Sequence, residues 1–139
     1  MIKDSKLLYQ DLLKAERFFL IAGPCVIEDW DTIARLAETL KQLAQEHRIP
    51  FIFKASYLKA NRTAGDSYRG PGLQEGLAIL QKVQQQFELP VLTDVHETAE
   101  VKAAAEVCQI LQIPAFLSRQ TNLIPVSYTH LTLPTILRV

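Results

Sequence analysis

The sequence predicts a parallel α/β fold, and three observations carry that prediction. Short apolar runs alternate with amphipathic stretches of helical period along most of the chain. No hairpin signal joins one apolar run to the next. Polar and charged residues collect just after each run: Cys25, then Lys54, then Asp94 and His96, then Arg119 and Gln120. The C-terminal edge of a parallel sheet is where such folds place their chemistry. Two architectures satisfy the pattern, an open doubly wound sheet and a closed barrel of eight βα units. Neither a GxGxxG fingerprint nor a P-loop is present.

The elements follow in order. Phe18 to Ala22 reads FFLIA and stops at Gly23-Pro24, which suits a strand buried on both faces. Ile33, Leu36, Ala37, Leu40, Leu43 and Ala44 recur at three- and four-residue spacing, a helix that Asp29 or Asp31 can cap. After Pro50, Phe51-Ile52-Phe53 is a second strand. Residues 57–72 are a polar, glycine-containing loop. Leu73, Leu77, Leu80, Val83 and Phe87 mark the next helix. Pro90 precedes a third strand, Val91-Leu92, that ends at Thr93-Asp94. A helix is expected over about 97–107, and a fourth strand over Val107 to Ile113, stopped by Pro114. A further helix is expected to begin near Ser118.

Composition bounds the function. The 139 residues carry 15 Lys+Arg against 15 Asp+Glu, and 48% are hydrophobic. That is enough to build a core and excludes a disordered chain. A neutral chain offers no general attraction for nucleic acid or an anionic membrane, so neither is expected as a partner. The longest apolar run, Phe18 to Ile27, is interrupted by Gly23-Pro24, and a membrane-spanning helix needs roughly 20 residues. The start, MIKDSKLLYQDLLKAE, is too densely charged for a signal peptide. Two cysteines cannot make a disulfide framework. A soluble cytoplasmic protein is the expectation.

Length then conflicts with architecture. A complete barrel takes about 250 residues, or about 31 per βα unit. Residues 1–124 therefore hold four units, half a barrel. The last fifteen residues, PVSYTHLTLPTILRV, contain one charged residue (Arg138) and show no helical period. They are read as an atypical tail, 125–139, either a terminal extension or sequence foreign to the domain. A half-barrel leaves open sheet edges and apolar surface, so the isolated chain is expected to be unstable and inactive.

The strongest site signal is FKASYLKANRTAGDSYRGPG, residues 53–72. Lys54, Lys59, Arg62 and Arg69 stand there against a single acid, Asp66. Lys54 ends a buried strand, where an unpaired ammonium is costly unless it faces a cleft or an anion. Arginine holds phosphate or carboxylate by two parallel hydrogen bonds, and lysine supplies a compact charge. The set suits a small substrate with several anionic groups, and Asn61 adds a donor and acceptor for a hydroxyl. Cys25 could ligate a metal, act as a nucleophile or simply pack. Asp94 could bind a hydroxyl or orient water. His96 could be a ligand or an acid/base group. Loop hydrogen bonding or helix capping fits either equally well. Gln112, polar within ILQIP, should point into the barrel, and Arg119 follows the fourth strand's top.

Together these stretches resemble the 3-deoxy-D-manno-octulosonate 8-phosphate (KDO-8-phosphate) synthases. The matching segments are LIAGPCVIE (20–28), FKASYLKANR (53–62), SYRGPGLQEGL (67–77), LTDVHE (92–97) and QIPAFLSRQTNL (112–123). The resemblance implies a TIM (β/α)8 barrel. It implies condensation of phosphoenolpyruvate with D-arabinose 5-phosphate and release of phosphate, for lipopolysaccharide KDO biosynthesis. By position, Lys54 and Lys59 would hold phosphoenolpyruvate. Asn61 and Arg62 would take the sugar phosphate and its hydroxyls, Asp94 and Gln112 would line the same pocket, and His96 would join Lys54, Lys59 and Asp94 among the catalytic groups. Arg119 would reach a neighbouring subunit's sugar phosphate in a homotetramer. The resemblance also places Cys25 with the members that depend on a divalent metal, whose remaining ligands lie beyond the matching residues. His130, in the tail, is not a substitute for them. The related 3-deoxy-arabino-heptulosonate 7-phosphate synthases, which use erythrose 4-phosphate, usually carry KPRT where this chain has Lys59-Ala60-Asn61-Arg62. An inactive fragment is the remaining alternative.

Overall fold

The computed structural model describes residues 5–59, 68–120 and 122–130. Helix α1 (Ser5–Leu13) leads into β1 (Leu20–Ala22), α2 (Trp30–Glu46), β2 (Phe51–Lys54), α3 (Leu73–Phe87), β3 (Val91–Asp94), α4 (Thr98–Val107) and β4 (Ile110–Gln112). A single 3-10 turn, Ala115–Leu117, and helix α5 (Leu123–His130) follow. All pairings are parallel, and the strands lie in sequence order β1-β2-β3-β4. A doubly wound sheet reverses its strand order and takes helices on both faces. Here α2, α3 and α4 pack successively against one another, and their apolar residues share one core with the sheet. Four successive βα units with helices on one face are half of a (β/α)8 barrel.

Each element has a local cause. Asp29 caps α2: its carboxylate accepts from the Thr32 amide and hydroxyl, both at 2.8 Å, and these bonds hold its carboxyl below the usual range. Ile33, Ala37 and Ala44 are the buried stripe of α2, and Leu77, Leu80, Val83 and Phe87 that of α3. They meet Phe51, Phe53, Val91 and Val95, the sheet residues turned towards the helices. Helix α4 begins with a capping box between Glu97 and Glu100.

Several boundaries differ from the sequence expectation. The first strand spans Leu20–Ala22 rather than 18–22, and Phe18 and Phe19 are exposed. β1 pairs only with β2, and Ile21 is 41% exposed. A strand buried on both faces is therefore not what forms: the face away from the helices lacks a cover among the described residues. The fourth strand is Ile110–Gln112 rather than 107–113, because α4 runs to Val107 and the Cys108 amide still bonds Ala104 O at 2.8 Å. Cys108 is buried, as the C-cap of a helix rather than within the fourth strand. The helix expected near Ser118 starts at Leu123, after the 3-10 turn. Helix α5 also crosses the 124/125 line, so the first part of the atypical segment does have helical structure. Pro125 is tolerated because a first-turn residue has no carbonyl partner to lose. Leu123 and Ser127, one turn apart, are buried, and Ser127 Oγ donates to Leu123 O at 2.8 Å. The rest of the tail, 131–139, lies outside the described residues. Helix α1 has no counterpart in the sequence expectation; Leu8 is its one buried side chain.

Gly76 shows how tightly α3 meets the sheet's upper edge. A Cβ there would overlap the Cβ of fully buried Tyr57. Overpacking of this kind costs about 1–3 kcal/mol. Gly76→Ala should therefore lower the unfolding free energy from urea melts by that margin, and the midpoint with it, despite the better helix propensity of alanine. An unchanged or higher midpoint would contradict the contact.

Candidate functional site at the strand ends

Parallel registration brings the C-terminal ends of β2, β3 and β4 to one edge. Asp94 pairs with Gln112, and Lys54 with Leu92. Asp94 and Gln112 thus share the face away from the helices, as expected for Gln112. A concavity of about 180 Å³ opens there, lined by Lys59, Asp94, His96, Gln112, Pro114, Ala115 and Phe116. Four of the nine sequence-selected residues meet in it: Lys59, Asp94, His96 and Gln112.

Asp94 and His96 form its buried floor, at 4% and 9% exposure. His96 Nε2 lies 3.1 Å from Asp94 Oδ2. An ionised carboxylate only accepts, so in the neutral imidazole Nε2 carries the proton that faces Asp94. Among the described residues two buried side-chain atoms lack a hydrogen-bond partner, Asp94 Oδ1 and His96 Nδ1. Leaving such a group unsatisfied costs about 1–3 kcal/mol, and orphans of this kind collect where a ligand or water is to be bound.

The cations stand close by. Lys54 is half-buried at the end of β2 and has no ion-pair partner among the described residues. The backbone beside it is fixed by Gly23, where a Cβ would overlap the Lys54 carbonyl oxygen. Lys59 Nζ donates to buried Ser56 Oγ at 2.7 Å, and the Lys59 amide bonds Arg69 O at 2.8 Å. The base of the basic loop is thereby closed on itself. Asn61 and Arg62 lie outside the described residues. Arg119 is exposed beyond the 3-10 turn and does not line the concavity.

Cys25 is an exposed free thiol just past β1. One thiolate is a single donor, whereas a zinc-like site takes about four ligands. The described residues contain no group of three or more His, Cys, Asp or Glu placed to hold a metal ion. By themselves they do not make a metal centre.

Three participants escaped the sequence reading: Ser56, Tyr57 and Glu100. Tyr57 Oη donates to Glu100 Oε2 at 2.7 Å, and the same oxygen accepts the His96 amide at 2.9 Å and the Glu97 amide at 3.2 Å. The Tyr57 ring meets the His96 imidazole edge-on, with centroids 5.9 Å apart. Burial, reinforced by the hydrogen bond to Glu100, pushes the Tyr57 phenol well above its ordinary range, so it remains a donor at any physiological pH. Glu97-x-x-Glu100 lacks the Ser, Thr, Asp or Asn that marks a capping box in sequence, so it gave no clear signal. Nothing local marked Tyr57 as its distant partner.

The fold and the site together define a chain of the β/α-barrel class that gathers a lysine and a buried Asp-His pair around one concavity at its strand ends. Comparison with known sequences narrows this. The model of the DAHP synthetase I family matches residues 13–130, and the chain belongs to that family. It is 49% identical over 124 residues to 2-dehydro-3-deoxyphosphooctonate aldolase 2 of Arabidopsis thaliana, covering 89% of this chain and 43% of that protein. It is 57% identical over 108 residues to the 2-dehydro-3-deoxyphosphooctonate aldolase of Syntrophobacter fumaroxidans, covering 78% and 38%. The pea (Pisum sativum) protein of the same name is 50% identical over 120 residues, covering 86% and 41%. That name is another for KDO-8-phosphate synthase. The chain thus spans about two fifths of the length of these relatives.

The two thiols should differ sharply in reactivity. Burial pushes Cys108 up to about 12, whereas Cys25 is exposed. Iodoacetamide at pH 8 should label Cys25 alone in the folded chain and both residues in urea. The same burial makes stability fall with alkali. The folded state keeps the Cys108 proton above the ordinary value of 9.0, so its contribution is complete below pH 9 and is lost as pH rises towards 12. Cys108→Ala should flatten the fall in urea midpoint between pH 9 and 10.5.

Proposed function

We propose that the protein to which this chain belongs condenses phosphoenolpyruvate with D-arabinose 5-phosphate, giving 3-deoxy-D-manno-octulosonate 8-phosphate and inorganic phosphate. The observation that carries the reading is the cluster of Lys59, Asp94, His96 and Gln112 around one concavity, in a chain half-identical to relatives of that name. C3 of phosphoenolpyruvate bonds to the sugar aldehyde carbon, and the carbonyl oxygen takes up a proton. Water adds at C2, and the resulting hemiketal phosphate loses phosphate as its C–O bond breaks.

The residues divide the work by charge. Lys54 and Lys59 hold the carboxylate and phosphate of phosphoenolpyruvate. Asn61 and Arg62 hold the sugar phosphate and hydroxyls. Asp94 accepts from a sugar hydroxyl or a water through its orphaned Oδ1. His96, held against Asp94, serves as the acid/base group. Gln112 lines the same pocket from β4. Arg119, exposed beside it, completes a neighbouring subunit's sugar-phosphate site in a homotetramer. Cys25 contributes one thiolate to a divalent metal whose other ligands come from outside the described residues, and no step above runs through that metal. The enzyme works in the cytoplasm on lipopolysaccharide precursors. No helix among the described residues is long and apolar enough to cross a membrane.

A chimera tests the reading. The matching segment of the Syntrophobacter fumaroxidans relative is replaced by that of this chain, and phosphate release from phosphoenolpyruvate is followed with each sugar. Turnover with arabinose 5-phosphate should exceed that with erythrose 4-phosphate. Lys59→Ala and Asp94→Asn should each cost about 100-fold or more in kcat/KM, the scale of losing a charged contact to the transition state. Preference for erythrose 4-phosphate would favour the heptulosonate synthase reading instead, and a folded chimera idle with both sugars would reject both.

A further inference from the structure

We infer that Tyr57 and Glu100 are positioning residues for His96: the Tyr57 hydroxyl occupies the Glu100 carboxylate and so keeps it from taking a proton-bearing Nδ1. The inference rests on the reading of Asp94 and His96 as part of the site. Glu100 Oε2 is already engaged by Tyr57 Oη at 2.7 Å, by the His96 amide at 2.9 Å and by the Glu97 amide at 3.2 Å. It stands 3.9 Å from His96 Nδ1, too far for a hydrogen bond. Nδ1 is thereby left unpartnered, while Nε2 faces Asp94 Oδ2 at 3.1 Å. The groups that face the imidazole are Asp94 from β3, Glu100 from α4, and Tyr57 and Lys59 from the loop after β2.

The competition is one of donors. A carboxylate oxygen that already holds three donors exceeds its two lone pairs and has no room for a fourth, and the phenolic bond is the shortest of the three. Without the phenolic donor, Oε2 can close on Nδ1. A proton there forms a charge-assisted bond, and the imidazole then sits between two carboxylates with both nitrogens protonated. An acid/base group locked in that state no longer accepts a proton. The Tyr57 ring is also fixed independently of its hydroxyl, because Gly76 packs on its Cβ and the Gly72 amide bonds its carbonyl at 3.1 Å. Tyr57→Phe should therefore remove the donor while leaving the ring in place.

Nitrogen-15 NMR of the histidine rings in the whole chain at pH 7 tests this, with His96 assigned by its loss in His96→Gln. In the unsubstituted chain Nε2 should carry the proton and Nδ1 should not. In Tyr57→Phe, Nδ1 should become protonated. In the double variant Tyr57→Phe/Glu100→Gln it should revert, because a neutral amide does not stabilise an imidazolium. A protonated Nδ1 in the unsubstituted chain would overturn the inference, and so would an unchanged His96 signal in folded Tyr57→Phe. In the active chimera, Tyr57→Phe should lower kcat about 10- to 100-fold, the range for residues that orient an active imidazole. KM for phosphoenolpyruvate should hold, and the double variant should recover part of the loss. The NMR result is independent of turnover, so an inactive chimera would count against the proposed reaction and leave the His96 result standing.

Discussion

Parallel pairing in sequence order is the constraint on which everything else depends. It points four strands the same way, so the residue that ends each strand arrives at one edge of the sheet. Residues far apart in sequence then meet without any local signal that they should. Asp94 and Gln112 are neighbours because β3 and β4 share a register. A slip of one residue in either strand would turn one of them to the helix side and dismantle the concavity. The apolar helix faces prevent that slip, since Val91 and Val95 in the one case and Leu111 in the other would leave the core with it.

Tyr57 joins the edge to the helices. It is fully buried, yet its carbonyl, hydroxyl and ring each serve a different element. The carbonyl accepts from Gly72 at the start of α3, the hydroxyl donates to Glu100 in α4, and the ring stands against His96. The basic loop therefore leaves and re-enters the fold at anchored points: Lys59 and Tyr57 on one side, Arg69 and Gly72 on the other. Two backbone hydrogen bonds, Lys59 to Arg69 and Gly72 to Tyr57, close the base from which it departs.

Much of this was legible in the sequence. The parallel class followed from the alternation of apolar runs and helical stripes, and Lys59, Asp94, His96 and Gln112 were all selected before any geometry was known. Strand ends were read less well. FFLIA is a uniform apolar run, but only Leu20–Ala22 has partners on β2; hydrophobicity does not report where a neighbour stops. Val107 belongs to α4 rather than β4 because the Cys108 amide closes one more helical turn. The start of helix α5 was expected near Ser118 rather than at Leu123, and its run past residue 124 was not expected, because Leu123 and Ser127 make its buried contact within a segment whose composition carries no stripe. Tyr57 and Glu100 stayed hidden for another reason: their hydrogen bond spans 43 positions, and sequence periodicity reports only near neighbours.

The site is built at the expense of the fold. Among the described residues Lys54 and Lys59 have no carboxylate against them, and Asp94 and His96 each bury a polar atom with no hydrogen-bond partner. At about 1–3 kcal/mol apiece the two orphans alone are a sizeable share of a domain's net 5–15 kcal/mol. Simple repairs were open: an apolar pair would fill the same space, and a carboxylate beside Lys59 would neutralise it. Those repairs would leave no unsatisfied acceptor for a hydroxyl or water and no free cation for an anion. An anionic, hydroxyl-bearing ligand satisfies both kinds of deficit at once. The complementarity of the deficits, more than any one residue, is what supports the proposal of an anionic, hydroxyl-bearing ligand.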